Sequence, residues 1–151
     1  KNNDGAIVFS GAGASISVSK FSDDPAYPNY IQLIPTEFST TVTAKSDDLT
    51  KSLKAVMIYS EASHVVLTIS ADQMIVTGQS KEMGDGESRL SVVSAGIGDK
   101  FVISLNAKYL LELIKASDSS NITLNMNSPT NPVVLRGDNE NKLSLLTPVR
   151  I

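Results

Sequence analysis

The chain carries 151 residues, 41% hydrophobic and 19% charged, with a mean hydropathy near zero. That composition suits one globular domain of ordinary size with little left over for a second. Thirteen basic against sixteen acidic residues leave a net charge of −3 and a pI near 5.1, which argues against tight, groove-reading nucleic-acid binding but not against a loose or purely topological association with DNA.

The absence of cysteine excludes disulfides, a thiolate nucleophile and a zinc–thiolate site. No apolar run approaches the roughly 18 residues of a membrane span, and no basic-then-apolar signal segment opens the chain. Cytoplasmic is the default expectation, with no membrane partner. A start at Lys1 rather than Met fits a fragment or a processed product.

In chain order, Ala6–Phe9 is a short apolar run, Ser10-Gly11-Ala12-Gly13 a turn, and Ser15–Ser19 an alternating strand. Together they predict a hairpin. Ser22-Asp23-Asp24-Pro25 ends it. Tyr27–Pro35 is aromatic and aliphatic with prolines near both ends, which forbids a helix through it and favours an extended connector.

From residue 38 the sequence repeats itself. Phe38–Ala44 is a Thr-rich strand by β-branched content. Ser46 is the expected N-cap of a helix whose first turn carries Asp47 and Asp48, with Leu49, Leu53 and Val56 on one face. Sixty residues on, Lys100–Leu105 is a strand, Asn106 a second N-cap, and Tyr109, Leu113 and Ala116 the matching helical face. Met74–Gly78 matches Val133–Gly137 at an offset of 59. The expectation is an internally duplicated α+β unit with two helices side by side on one face of antiparallel sheets and about eight strands. On the outward faces lie Lys51, Lys54 and Ile58 of the first helix, and Leu111, Ile114 and Lys115 of the second.

The chain then ends apolar where ends are usually polar. Leu143–Leu146 reads as a closing strand after the turn Gly137–Asn141. Pro148 cannot donate a ladder hydrogen bond, so the backbone must leave the sheet near Thr147. That places Val149 and Ile151 at a sheet margin, as plain closure of a core or as the wall of a groove.

Chemistry is sparse. His64 is the single histidine, and its neighbours Glu61 and Ser63 do not make a triad, whose geometry comes from the fold. Gly11-Ala12-Gly13 lacks the third glycine and following helix of a dinucleotide loop. Asp85 and Glu87 lack the oxygen spacing of a calcium loop. Asn121-Ile122-Thr123 fits a glycosylation sequon, a pattern common by chance. The residues give no catalytic site, no metal site and no cofactor.

Three stretches together resemble the bacterial sliding clamp family, the β subunit of DNA polymerase III. Tyr27–Pro35 is similar to the family's "FPDY…LP" connector. Phe101–Ala116 resembles its last helix with the preceding strand, including Asn106 and Tyr109. Thr147–Ile151 resembles its "PMRL" ending. The resemblance implies a processivity-clamp (DNA clamp) fold, with residues 1–38 the last strands and connector of an incomplete middle domain and 39–151 the C-terminal domain. It implies a non-catalytic processivity subunit: a homodimeric ring encircling duplex DNA, and a groove between second and third domains for Gln-Leu-x-Leu-Phe-type peptides of polymerases and clamp-loader subunits.

By position, the resemblance assigns the groove to Pro28, Leu33, Asn106, Tyr109, Pro132, Leu145, Thr147, Pro148, Val149 and Arg150. Lys51, Lys54 and Lys108 are the expected DNA-facing lysines, and Ile58 and Tyr59 the expected subunit contact. A ring also reconciles the acidic charge with DNA, because encirclement needs closure rather than affinity. Thr147 and Val149 depart from longer Met side chains in the family, and Gln32 from a frequent Arg. Two alternatives stand beside this reading. A secreted β-rich binding domain predicts neither a helix lysine face nor a pocket at the tail. A hydrolase using Ser63 and His64 lacks a placed acid.

Overall fold

A computed structural model describes residues 6–19, 32, 34–139 and 142–150. These fall into two compact units, residues 1–32 and 33–151. In the first, β1 (Ala6–Gly11) and β2 (Ala14–Ser19) form the expected hairpin, with Gly11 opposite Ala14. Ala12 and Gly13 both take positive φ, the geometry that lets a two-residue turn follow the strands' twist.

The second unit holds β3 (Thr40–Lys45), α1 (Ser46–Met57), β4 (His64–Ile69), β5 (Gln73–Ser80), β6 (Gly84–Ser91) and β7 (Val93–Ala95). It continues with β8 (Phe101–Asn106), α2 (Ala107–Ser117), β9 (Asn121–Met126), β10 (Val133–Arg136) and β11 (Leu143–Leu146). One sheet runs β11-β10-β9-β3-β7 and the other β6-β5-β4-β8, all pairs antiparallel. The duplication is therefore interlocked. Each sheet takes three consecutive strands from one copy and the opening strand of the other, with β7 added at the edge of the five-stranded sheet, so neither half can close its own sheet.

Period-two patterning makes the strands what they are. In β3, Thr40, Val42 and Ala44 are buried while Thr41 and Thr43 are only half-buried; β4 buries Val65, Leu67 and Ile69 in the same way. The core lies where these inner faces meet Leu49, Leu53 and Val56 of α1 and Leu110 and Ile114 of α2.

Two expectations fail at the helices. The second helix does not bury Tyr109, Leu113 and Ala116. It buries Ala107, Leu110 and Ile114, while Tyr109 is 56% exposed. The structural offset is 61, matching Leu49 with Leu110 and Leu53 with Ile114; an offset one residue short turns a helix by about 100° and selects the wrong stripe. Ile114, expected on the outer face, is thus in the core. Nor does Ser46 cap α1. Lys45 holds that position without a side-chain cap, since an ammonium has no acceptor to offer the helix amides. The Ser46 amide donates to the Ser120 carbonyl at 2.9 Å, and its hydroxyl donates to the Ser119 carbonyl, so the loop after α2 captures both.

Asn106 does cap α2: its Oδ1 accepts from the amides of Lys108 (3.0 Å) and Tyr109 (3.2 Å). Asn106→Ala should cost about 1 kcal/mol in urea unfolding, and Asn106→Asp less, since a carboxylate restores the cap's acceptor but not the amide donor. A second small effect with a clear cause sits at Gly78 of β5. A Cβ there would lie 2.8 Å from Val56 Cγ1 and 2.9 Å from the Val56 carbonyl oxygen. Gly78→Ala should therefore destabilise by about 1–3 kcal/mol in the same assay, by forcing α1 off the sheet.

Candidate peptide groove and helix face

The tail changes sheets. β11 pairs with β10 up to Leu146, which is buried opposite Val133. Thr147 is exposed, Pro148 offers no amide, and the Val149 amide donates to the Ser104 carbonyl on β8 at 2.9 Å. The chain has thus left the edge of the five-stranded sheet and docked on the edge of the four-stranded one. The first copy does the same at β7, where Val93 pairs with Thr43, the counterpart of Ser104. The crossing is part of the duplicated unit.

Open cavities flank this crossing. One, of about 410 Å³, is lined by Val102, Ile103, Ser104, Pro129, Thr130, Thr147, Pro148, Val149 and Arg150. The other, of about 340 Å³, lies across Val149 and is lined by Glu61, His64, Val66, Thr77, Gly78, Gln79, Ser104, Val149 and Arg150. Ser104, Val149 and Arg150 belong to both, so the tail forms the ridge between them. The first has alkyl, proline and hydroxyl walls and suits an aliphatic side chain. The second is more polar and opens beside a strained turn, in which Ala62 and Ser63 have φ of 51° and 61°. The Asn106 Nδ2 donates to the Ala62 carbonyl at 3.4 Å, so one side chain caps α2 and ties this turn to β8.

The structure brings Thr147, Pro148, Val149 and Arg150 together at the first cavity. Leu145 is half-buried in β11 and Pro132 half-buried just before β10, and neither lines either cavity. Pro129 and Thr130, from the loop that carries Pro132, line it instead. Asn106 and Tyr109 sit at the start of α2 outside both linings. Pro28 and Leu33 lie outside the described residues. Val102, Ser104, Pro129 and Thr130 carry no sequence signal of their own, because only the docking of the tail on β8 makes them neighbours.

On the opposite side of the core, Lys51, Lys54 and Lys108 are exposed on the outer faces of the helices. A groove of about 440 Å³ runs between α1 and α2, with Asp47, Thr50 and Lys54 on one bank and Leu111, Glu112 and Lys115 on the other. Ile58, at the C-cap of α1, is 64% exposed. Tyr59 lies against β6: a Cβ on Gly86 would come within 2.3 Å of its ring. β6 is the outer strand of its sheet, so an apolar residue and an unpaired strand edge lie side by side. Among the described residues, no cluster of three metal-ligating side chains occurs and no helix is long and apolar enough to cross a membrane.

Residues 31–150 match the sequence profile of the DNA polymerase III beta subunit, C-terminal domain. The chain belongs to this family. The beta sliding clamp of Synechocystis sp. is 29% identical over 99% of the chain and 38% of its own length, and that of Synechococcus elongatus is 31% identical over 85% and 32%. The chain therefore spans under two fifths of the length of these two relatives. Among solved structures, a DnaN sliding clamp from Bartonella birtlesii bound to griselimycin superposes with a TM-score of 0.88 at 21% identity, covering 99% of this chain and 40% of that one. The Thermotoga maritima DNA polymerase III beta subunit gives 0.83 at 24%, covering 93% and 38%. The fold is that of sliding clamps, internally duplicated and α+β, as the repeat implied.

Proposed function

We propose that the chain supplies the third domain of a homodimeric, ring-forming processivity factor. The ring encircles duplex DNA in the cytoplasm without catalysis of its own, and tethers polymerase and clamp-loader subunits through short peptides at the tail. The observation that carries this reading is the sheet-crossing tail, held by the Val149–Ser104 hydrogen bond between two open cavities. The secreted binding-domain alternative predicted neither a tail pocket nor a helix lysine face, and both are present.

A Gln-Leu-x-Leu-Phe-type peptide inserting two aliphatic anchors gains about 1.5–3 kcal/mol from each. Backbone hydrogen bonds along the tail bring the total toward about −8 kcal/mol, the micromolar range in which partners exchange. Thr147 and Val149 are shorter than methionine, so the walls they build leave a wider pocket. Leu145, Pro132, Asn106 and Tyr109 belong to the groove in this reading as its supports, and Pro28 and Leu33 as contributions of the connector. Residues 1–38 then end a middle domain, and 39–151 form the third. Ile58 and Tyr59, beside the unpaired edge of β6, are the subunit contact, where a second copy's strand would extend the sheet.

Lys51, Lys54 and Lys108 face the DNA passage. The test is topological. A full-length subunit carrying this chain, loaded on nicked circular duplex, should stay bound through a high-salt wash and be lost when the circle is cut. Binding that falls with salt and ignores DNA topology would overturn the reading.

A further inference from the structure

The inter-helix groove carries acids where a surface devoted to phosphate would carry only cations. On α1, Asp47, Lys51 and Lys54 fall at i, i+4 and i+7, one exposed stripe; on α2, Lys108, Glu112 and Lys115 do the same. The 61-residue offset pairs these positions. Lys54 and Lys115 keep their sign, whereas Asp47 corresponds to Lys108 and Lys51 to Glu112. Asp47, Lys54, Glu112, Lys115 and Asp118 line a single groove. None closes into a contact ion pair: among the described residues the pair within 4 Å is Arg89–Glu87, on β6. The five charges thus share one groove through solvent, over an apolar floor of Leu111 and Ile114.

We propose that Asp47, Glu112 and Asp118 compete with DNA phosphate for Lys54 and Lys115, keeping the grip of the closed ring on duplex weak enough to slide. The inference rests on the reading above that this face lines the DNA passage. A phosphate approaching Lys54 or Lys115 must displace the attraction of a nearby carboxylate, so each lysine releases fewer counterions on contact than a free one. The groove then holds duplex DNA by a shallow, sequence-independent attraction, and closure of the ring alone supplies persistence.

The experiment uses the full-length ring on circular duplex, with single-molecule tracking of its diffusion across a salt series. Asp47→Asn, Glu112→Gln and Asp118→Asn together remove the competitors and preserve side-chain shape on exposed positions. The triple variant should diffuse about 2–5-fold more slowly per site at low salt. Its salt dependence should steepen by up to about two units of log–log slope. Both effects should vanish when Lys54→Gln and Lys115→Gln are added, since the acids then have nothing to shield. A variant ring retained on circular DNA but with unchanged diffusion and salt slope would overturn the inference and leave the ring standing. Wild-type protein that is not retained on circles at all would remove the ring reading, and the inference with it.

Discussion

Removing Val149 to Ile151 should weaken binding of a Gln-Leu-x-Leu-Phe-type peptide by about 10- to 150-fold while leaving the domain folded. The range follows from losing one apolar wall, about 1.5–3 kcal/mol for one anchor. Folding should survive because the core closes at Leu146, buried opposite Val133, and beyond it the described residues of the truncated segment add the Val149–Ser104 backbone hydrogen bond. Fluorescence anisotropy with a labelled peptide, alongside circular dichroism, separates the two effects. Undiminished affinity would place the peptide elsewhere. Arg150→Ala alone should cost less, because its side chain is exposed at the rim of both cavities.

The second large effect concerns the packing of α2. Leu110→Ala should cost about 2–5 kcal/mol of unfolding free energy, whereas Tyr109→Ala should change it by less than about 1 kcal/mol. Leu110 is fully buried between the sheets and α1, and its removal leaves a cavity that neighbouring leucines cannot fill. Tyr109 is more than half exposed and packs on no buried stripe. Equal losses at the two positions, read from urea midpoints, would mean that the helix phase is wrong. Since Asn106 caps α2, a shift of that phase would move the turn it ties.

The sequence reveals only part of this arrangement. The duplication was legible because strand, helix and strand recur with like patterning, and α1 was legible because its apolar residues form a single stripe. The phase of α2 was not. Tyr109, Leu110, Leu111, Leu113 and Ile114 make nearly every position apolar, so periodicity alone selects no face. The cap at Asn106 was readable because its partners are the next two turn amides. The failure at Ser46 was not, because its competitors, the carbonyls of Ser119 and Ser120, arrive from more than 70 residues away. The exchange of strands between the two sheets leaves no local mark at all, since β3 and β8 look like ordinary half-buried strands.

The same division runs through the candidate site. Pro148 announced that the tail leaves its sheet, a matter of covalent structure. Where it lands depends on the register of Val149 on Ser104, and with it the identity of Val102, Pro129 and Thr130 as walls. Lysines on the outer helix faces followed from helical spacing. Their acidic neighbours across the groove needed the side-by-side placement of α1 and α2.

Amide chemical-shift mapping tests the central claim most directly. On titrating the labelled chain with the peptide, the largest shifts should fall at Val102, Ser104, Thr130, Val149 and Arg150, with the helix face and β6 silent. Shifts centred on Lys54 and Glu112, or along Gly84–Ser91, with Val149 unmoved, would contradict the groove at the tail.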